Sequence, residues 1–444
     1  MDIGALPTIP RNLKNRSLLL ELTRNLKDPK ALLLLGSRRS GKTSLLYLLL
    51  NFLQKKGISR RQILFFDLEN QLIADRLNQM KDFDRVPEFL GSLGADLKKR
   101  IFVFLDEVQY LENPSGLIKY LVDHYPNLKF IVTGSASIMV KSVFKDSMVG
   151  RVWKFYLRPL NFFEFLDFRE ERQLLEILEK AKDKGWEKES EGLMFFRNEY
   201  LSLFEEFCLF GGYPEVVLAK SHEEKRLLLS RLYSDYIRKD IGQIERIREV
   251  GAYNNLVRLL AGQIGQLVAD SELASSLRIT RVTVNRFLFL LGETFIIKLL
   301  TPYFTNSRQE IVKTPKVYFE DPGVVNLLID AFGDLSHHPK KGSLVENCLL
   351  CEFVKKGIDP FLHLHFWRTK QKQEVDFVIQ EKGELIPYEV KYQAFAKIKT
   401  PSGLQAFIRR YKPNKGYVVT RDFLGESQFE KTRVFFVPAW MASI

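Results

Sequence analysis

The segment from Ala31 to Leu50, ALLLLGSRRSGKTSLLYLLL, constrains this chain more than any other stretch. Ala31–Leu35 is an uninterrupted apolar run of the length and type of a buried strand, and Thr43 to Leu53 has the composition of a helix. Between them Gly36, Ser37, Arg38, Arg39, Ser40, Gly41, Lys42, Thr43 and Ser44 spell a G-x-x-x-x-G-K-T loop. Glycines let backbone N–H groups close around phosphates, and the following helix turns its positive end toward them. The spacing predicts that Lys42 reaches the β- and γ-phosphates and that the Thr43 hydroxyl holds Mg²⁺. A strand–loop–helix of this kind demands a parallel α/β sheet.

Ile101–Leu105 is a second strand-like run, and it ends in Asp106-Glu107. After a phosphate loop, such a pair predicts that Asp106 supports Mg²⁺ and that Glu107 orients or activates the attacking water. Phe130–Val132 leads into Thr133-Gly134-Ser135, where Thr133 and Ser135 are candidate polar sensors of the γ-phosphate. Ile63–Phe66, followed by Asp67, supplies an intervening strand. Strands alternating with helices argue for a sheet covered on both faces.

A chain of 444 residues accommodates two or three domains. Its apolar stretches are too short for a bilayer, which needs ~20 residues. It opens on no charged-then-apolar leader, and its three cysteines form no disulfide framework, so a cytoplasmic location is expected. Cys348 and Cys351 form a C-x-x-C pair in a helical segment, and with Cys208 as the remaining cysteine they are expected to be core packing. The net charge of +13 favours polyanionic partners, nucleic acid first.

Residues 161–245 have helical character, including the charged stretch Asp167–Lys188, and Phe210-Gly211-Gly212-Tyr213-Pro214 predicts a tight turn within them. Farther on, Asp270 is a candidate cap for Ser271–Leu277, and Thr280 for a second helix, Arg281–Leu291. This is a helix-turn-helix pattern. Its second helix is expected to expose Arg281, Thr283, Asn285 and Arg286 toward DNA, with Val282, Val284, Phe287, Leu290 and Leu291 buried. Ile296–Phe304, a turn at Asn306-Ser307-Arg308, and Lys316–Phe319 would complete a β-hairpin wing.

The C-terminal part carries a second chemical signal. Glu374–Ile379 and Ile386–Lys391 are expected to be strands joined at Glu381-Lys382-Gly383. Asp376 lies on the first, while Glu389 and Lys391 share one face of the second. Asp376 and Glu389 are candidate metal ligands together with the Val390 carbonyl, and Lys391 a candidate for positioning water or a scissile phosphate. Glu346, in a helix beginning near Gly342, adds a further carboxylate. A hairpin with a surface Glu389–Lys391 ion pair is the competing reading.

Together, GSRRSGKT, FLDEVQYLEN, VTGSAS, GRVWKFYLRPLNFFEF, FGGYPE, the helix-turn-helix, GSLVEN, EVDFVI and YEVKY resemble a family of AAA+ ATPases. In that family an N-terminal ATPase is followed by a winged helix and a C-terminal domain of the PD-(D/E)xK restriction-endonuclease type. The resemblance implies an α/β P-loop domain over 1–160, a helical lid over 161–245, a winged helix over 246–325 and a nuclease-like α/β domain over 326–444. It implies ATP with Mg²⁺ as cofactors, Mn²⁺ as an alternative in the C-terminal site, a homo-oligomer, and DNA as partner. Arg151 becomes the candidate arginine finger acting on a neighbouring subunit's nucleotide, with Arg158 its rival. The nuclease motif maps onto Glu346, Asp376, Glu389 and Lys391. The expected activity is ATP hydrolysis with metal-dependent DNA cleavage. The alternative is a nucleotide-controlled switch that binds DNA or protein without cutting, and a metabolic P-loop kinase would leave the C-terminal half unexplained.

Overall fold

The computed structural model describes residues 4–135, 148–237, 250–304, 314–359, 362–395 and 398–442. The chain divides into two compact units. One comprises Met1–Arg158, Asp235–Arg246 and Glu293–Phe295, the other Pro159–Ser234, Ile247–Gly292 and Ile296–Ile444. No helix among the described residues is long and apolar enough to cross a membrane.

The first unit is built on five strands: β1 (Ala31–Gly36), β2 (Ile63–Asp67), β3 (Ile101–Asp106), β4 (Leu128–Ser135) and β5 (Val152–Tyr156). They pair in the order β2-β3-β4-β1-β5, every pair parallel. Alternate residues of β1 face opposite sides, which is why its whole run is apolar. Ala31, Leu33 and Leu35 pack with Ile73, Leu90, Ile118 and Leu121 of the helices Gln71–Asn78, Arg85–Ser92 and Pro114–His124. Leu32 and Leu34 pack with Leu45, Leu46, Leu49 and Leu50 of the helix Lys42–Lys55. All five strands run the same way, so their C-terminal ends gather at one edge, where open α/β sheets bind ligands.

The second unit joins helices, a short hairpin and a mixed sheet. The helix Arg197–Phe210 stops at Gly211, which takes φ +76°, and Pro214 starts the next helix, as the FGGYP pattern predicts. A side chain on Gly211 would strike the Asp321 carboxylate at 2.0 Å, and one on Gly212 would strike the Leu160 carbonyl at 2.3 Å. The turn is glycine because buried Asp321 accepts hydrogen bonds from the Gly212 N–H at 2.7 Å and the Gly323 N–H at 2.9 Å.

The helices Asp270–Leu277 and Arg281–Glu293 are joined through Arg278, whose φ is +55°. Thr280 caps the second by accepting from the Thr283 N–H at 3.1 Å. Asp270 is the first residue of its helix rather than the expected cap, the N-cap position being Ala269. Val282 is likewise 79% exposed rather than buried, because the inward face is already filled by Val284, Phe287, Leu288 and Leu291. β6 (Ile297–Leu300) pairs antiparallel with β7 (Lys316–Phe319), and the turn expected at Asn306-Ser307-Arg308 lies outside the described residues.

The C-terminal sheet contains β8 (Leu364–Arg368), β9 (Glu374–Glu381), β10 (Glu384–Lys391), β11 (Lys415–Thr420), β12 (Gly425–Phe429) and β13 (Thr432–Pro438). Its order is β12-β13-β11-β10-β9-β8. β9 is antiparallel to both β8 and β10, whereas β10, β11 and β13 run parallel, with the helix Ser402–Tyr411 connecting β10 to β11. Cys208, Cys348 and Cys351 are buried thiols, with Cys208 and Cys348 sulfurs 3.1 Å apart.

Candidate functional site

Three strands of the first unit deliver the expected residues to one edge. β1 ends at Gly36, and the loop turns through Arg39 at φ +60° and Gly41 at φ +96° before Lys42 opens the helix. Gly36 has no room for a side chain, since a Cβ would lie 2.3 Å from the Leu157 carbonyl oxygen. Lys42 is buried, and its ammonium donates to the Gly36 and Ser37 carbonyls, each at 3.2 Å, and stands 3.8 Å from Glu107 Oε1.

β3 places Asp106 beside the loop, where its Oδ2 accepts from the Thr43 hydroxyl at 2.7 Å. From the neighbouring strand β4, fully buried Thr133 donates its hydroxyl to Asp106 Oδ1 and accepts from the Glu107 N–H at 2.9 Å. Burial pushes the Asp106 carboxyl above its ordinary range, and the Thr133 and Thr43 hydroxyls partly offset this. Glu107 takes φ +57°, a region unfavourable for a residue with a Cβ, and its Oε2 accepts from the Gln109 amide. The arrangement gathers an ammonium, two hydroxyls and two carboxylates at one end of the sheet. Hard oxygen donors of this kind suit Mg²⁺.

Arg16, which the motifs do not flag, is 7% exposed and clamps the loop. One guanidinium nitrogen donates to the Ser40 carbonyl at 2.8 Å and the other to the Arg158 carbonyl at 2.7 Å. Arg39 pairs with Asp235, a residue of the same unit, at 2.8 Å. Arg151 immediately precedes β5, at the sheet end opposite the phosphate loop, and binds Asp123 at 2.7 Å. Arg158 lies at the loop's end of β5, its guanidinium 5.7 Å from the Phe295 ring centroid.

In the second unit, Arg281, Asn285 and Arg286 are exposed and Thr283 half-buried. Arg281 binds Asp270 through Nε at 3.1 Å and Nη2 at 2.9 Å, and Asn285 also donates to Asp270 at 3.3 Å. Two of the four candidate DNA-contacting side chains are thus bonded to a carboxylate.

The C-terminal candidates come together from separate elements. Glu346 projects from the helix Lys341–Lys355, Asp376 from β9, and Glu389 and Lys391 from β10. Lys391 binds Glu389 Oε1 at 2.6 Å. Glu389 Oε2 is buried with no hydrogen-bond partner among the described residues. Asp376 Oδ2 accepts from the Val390 N–H at 2.7 Å. Burial, reinforced by Asp376, pushes Glu389 up to about 8, and burial pushes Glu346 up to about 7 against the pull of Lys316.

Sequence reasoning missed Lys316. Its ammonium is 3.1 Å from Glu346 Oε1, 2.6 Å from Glu374 Oε1 and 3.7 Å from Asp376 Oδ1. Tyr318 donates its hydroxyl to the same Glu346 oxygen. Among the described residues, no three His, Cys, Asp or Glu side chains are arranged to hold a metal ion. The oxygen chemistry suits a divalent cation, but ammonium groups already sit among the oxygens, so the C-terminal cluster does not fit one.

Residues 28–166 match an AAA domain. Residues 201–335 and 341–441 match two domains of unknown function, DUF8612 and DUF4143. The chain is 21% identical to an uncharacterized protein of Haemophilus influenzae, over 91% of this chain and 92% of that protein. It is 26% identical to an uncharacterized protein of Mycobacterium tuberculosis, over 88% of this chain and 75% of that protein. Among solved structures, a Walker-type ATPase of Pyrococcus abyssi is similar with a TM-score of 0.45 and 19% identity, covering 73% of this chain and 98% of that one. AMPPCP-bound DnaA of Aquifex aeolicus is similar with a TM-score of 0.25 and 16% identity, covering 62% and 86%.

Proposed function

We propose that this chain binds and hydrolyses ATP at the phosphate loop and uses that cycle to act on DNA. The observation that carries the reading is the convergence of Lys42, Thr43, Asp106, Glu107 and Thr133 at one end of an all-parallel sheet. The match of residues 28–166 to an AAA domain supports it. Thr43 and Asp106 would hold Mg²⁺, which when bound neutralises charge on the phosphates. Lys42 would turn its ammonium from the loop carbonyls to the phosphates. Glu107 would orient the attacking water, with Thr133 fixing both the Glu107 backbone and Asp106. Arg151, at the far sheet end, would serve the nucleotide of a neighbouring copy in a homo-oligomer. DNA would be contacted by Arg281, Thr283, Asn285 and Arg286 in a winged-helix segment, supported by the +13 charge.

For the C-terminal domain, the switch that binds without cutting is the better supported reading, because Lys316 and Lys391 already neutralise the carboxylates. One observation favours metal-dependent cleavage: Glu346, Asp376, Glu389 and Lys391 come together, with Glu389 Oε2 lacking a partner among the described residues. The test runs phosphate release and cleavage of duplex, single-stranded and branched DNA side by side. Wild type, Lys42→Ala, Glu107→Gln and Lys391→Ala are compared in Mg²⁺ or Mn²⁺. ATP turnover lost in Lys42→Ala and Glu107→Gln is expected, with DNA bound and left intact. Undiminished turnover in Lys42→Ala would overturn the ATPase reading. Cutting that disappears in Lys391→Ala would replace the switch with the nuclease.

A further inference from the structure

Three carboxylates of the second unit, from one helix and one strand, converge on the Lys316 ammonium. Glu346 comes from a helix, and Glu374 and Asp376 come from alternate positions of β9, so they share a face. Glu346 is buried and Glu374 and Asp376 are half-buried, and gathering them is costly unless a cation sits among them. The cation is within the chain. Lys316 is 2% exposed, and its ammonium lies within 3.7 Å of one oxygen of each carboxylate.

We infer that Lys316 is the resident cation of this cluster, supplying from β7 the charge that the sequence pattern reserves for a divalent metal. Its placement is fixed by the backbone rather than by the flexible side chain alone. Lys316 is the first residue of β7, paired with Leu300 of β6 and bridged to Leu267. Its ammonium also lies 5.5 Å from the Phe366 ring centroid. Glu374 is held from its other side by Arg368 at 2.6 Å, and Glu389 by Lys391, so positive side chains surround the cluster. A divalent ion takes carboxylate oxygens at roughly 2.0–2.6 Å, and an ammonium among the same oxygens excludes it by both volume and charge. The cluster therefore acts as an internal ion-pair hub joining the β6–β7 hairpin, the helix Lys341–Lys355 and β9. It takes up a metal only when Lys316 is removed.

This inference rests on reading Glu346, Asp376 and Glu389 as the C-terminal site, but not on that site cutting DNA. It is tested by Mn²⁺ titration of the nucleotide-free full chain, followed by electron paramagnetic resonance. Wild type and Asp376→Asn should bind Mn²⁺ alike. Lys316→Gln combined with Glu374→Gln removes one cation and one carboxylate together, limiting the charge left uncompensated. That double variant should gain a site at least tenfold tighter than any in wild type, and adding Asp376→Asn should abolish it. A wild-type site lost in Asp376→Asn would overturn the inference, as would a folded double variant with no added site. The wild-type comparison decides the point even if the double variant fails to fold. DNA cleavage is read separately, so absence of cutting bears on the nuclease reading alone.

Discussion

Replacing Thr133 by valine keeps the shape of the side chain and removes its hydroxyl, which makes it the sharpest probe of the nucleotide site. That hydroxyl donates to Asp106 and accepts from the Glu107 N–H at 2.9 Å, and Thr133 is fully buried. Losing a hydrogen bond to a carboxylate and leaving a partly buried N–H unmatched should cost about 2–4 kcal/mol together. For a unit of this size that corresponds to a melting temperature lower by roughly 5–15 °C. The larger effect should be kinetic. Glu107 is held at φ +57° partly through that N–H, and an error of ~1 Å in placing a catalytic group can lower turnover about 10²-fold. Phosphate release gives kcat, and a fluorescent ATP analogue gives Kd, both measured well below the variant's melting temperature. Turnover should fall while affinity changes only a few-fold, because the loop and Lys42 are untouched. Thr133→Ser, which restores the hydroxyl, should recover most of the rate. Wild-type turnover in Thr133→Val, or equal damage in Thr133→Ser, would refute the assigned role.

Gly36→Ala places a methyl 2.3 Å from the Leu157 carbonyl oxygen, so β5 must shift; a loss of ~1–3 kcal/mol is expected in thermal unfolding, with weaker nucleotide binding. Asp270→Ser releases Arg281 and Asn285 and should tighten DNA binding in a fluorescence titration, whereas Arg286→Ala should weaken it and reduce the salt slope by ~1. Unchanged DNA affinity in both variants would place the DNA contact elsewhere. Burial pushes the Asp321 carboxyl up to about 6, so between its ordinary value and that pH the folded chain holds a proton that the unfolded chain releases. Its contribution to stability therefore falls as pH rises through that window and is flat above it. Urea unfolding of wild type against Asp321→Asn should show a difference that changes below about pH 6 and levels off above it; a difference changing only above that pH would contradict the assignment.

The parts of the molecule legible in the sequence are those that local chemistry dictates. Leu32–Leu35, the loop to Thr43, and the strand ending at Asp106 each announce themselves within a dozen residues, as does the glycine turn at Gly211-Gly212. The insertion of β4 between β1 and β3 is not local, yet it is what brings Thr133 against Asp106. Arg16 escaped notice because it serves the loop through two main-chain carbonyls, a contact that leaves no side-chain pattern. Acidic residues favour helix starts, which makes Asp270 a candidate cap, but its carboxylate pairs with Arg281 of the next helix, beyond the reach of that local rule. Residue type alone places Val282 in the core, although four neighbouring apolar residues already fill the inward face.

The two acidic clusters of this chain differ in what neutralises them, and that difference bears on function. Asp106 is held by the hydroxyls of Thr43 and Thr133, neutral donors that orient a carboxylate without cancelling its charge. The ammonium of Lys42 stands nearer Glu107, at 3.8 Å, and binds the loop carbonyls, so it can turn to phosphate without leaving a close ion pair. In the C-terminal cluster Glu346, Glu374 and Glu389 are each bonded to a cation, Lys316, Arg368 or Lys391, with the Tyr318 hydroxyl also donating to Glu346. Moving Lys316 would leave buried Glu346 without its cation, a cost of several kcal/mol for a broken buried pair. Binding a metal there must first meet that cost, whereas binding Mg²⁺ and nucleotide beside Asp106 would require two hydroxyls to reorient and Lys42 to turn from the loop carbonyls. The two clusters thus imply unequal demand for metal, and the proposed ATP chemistry fits the cluster whose metal-facing carboxylate, Asp106, is oriented by neutral hydroxyls.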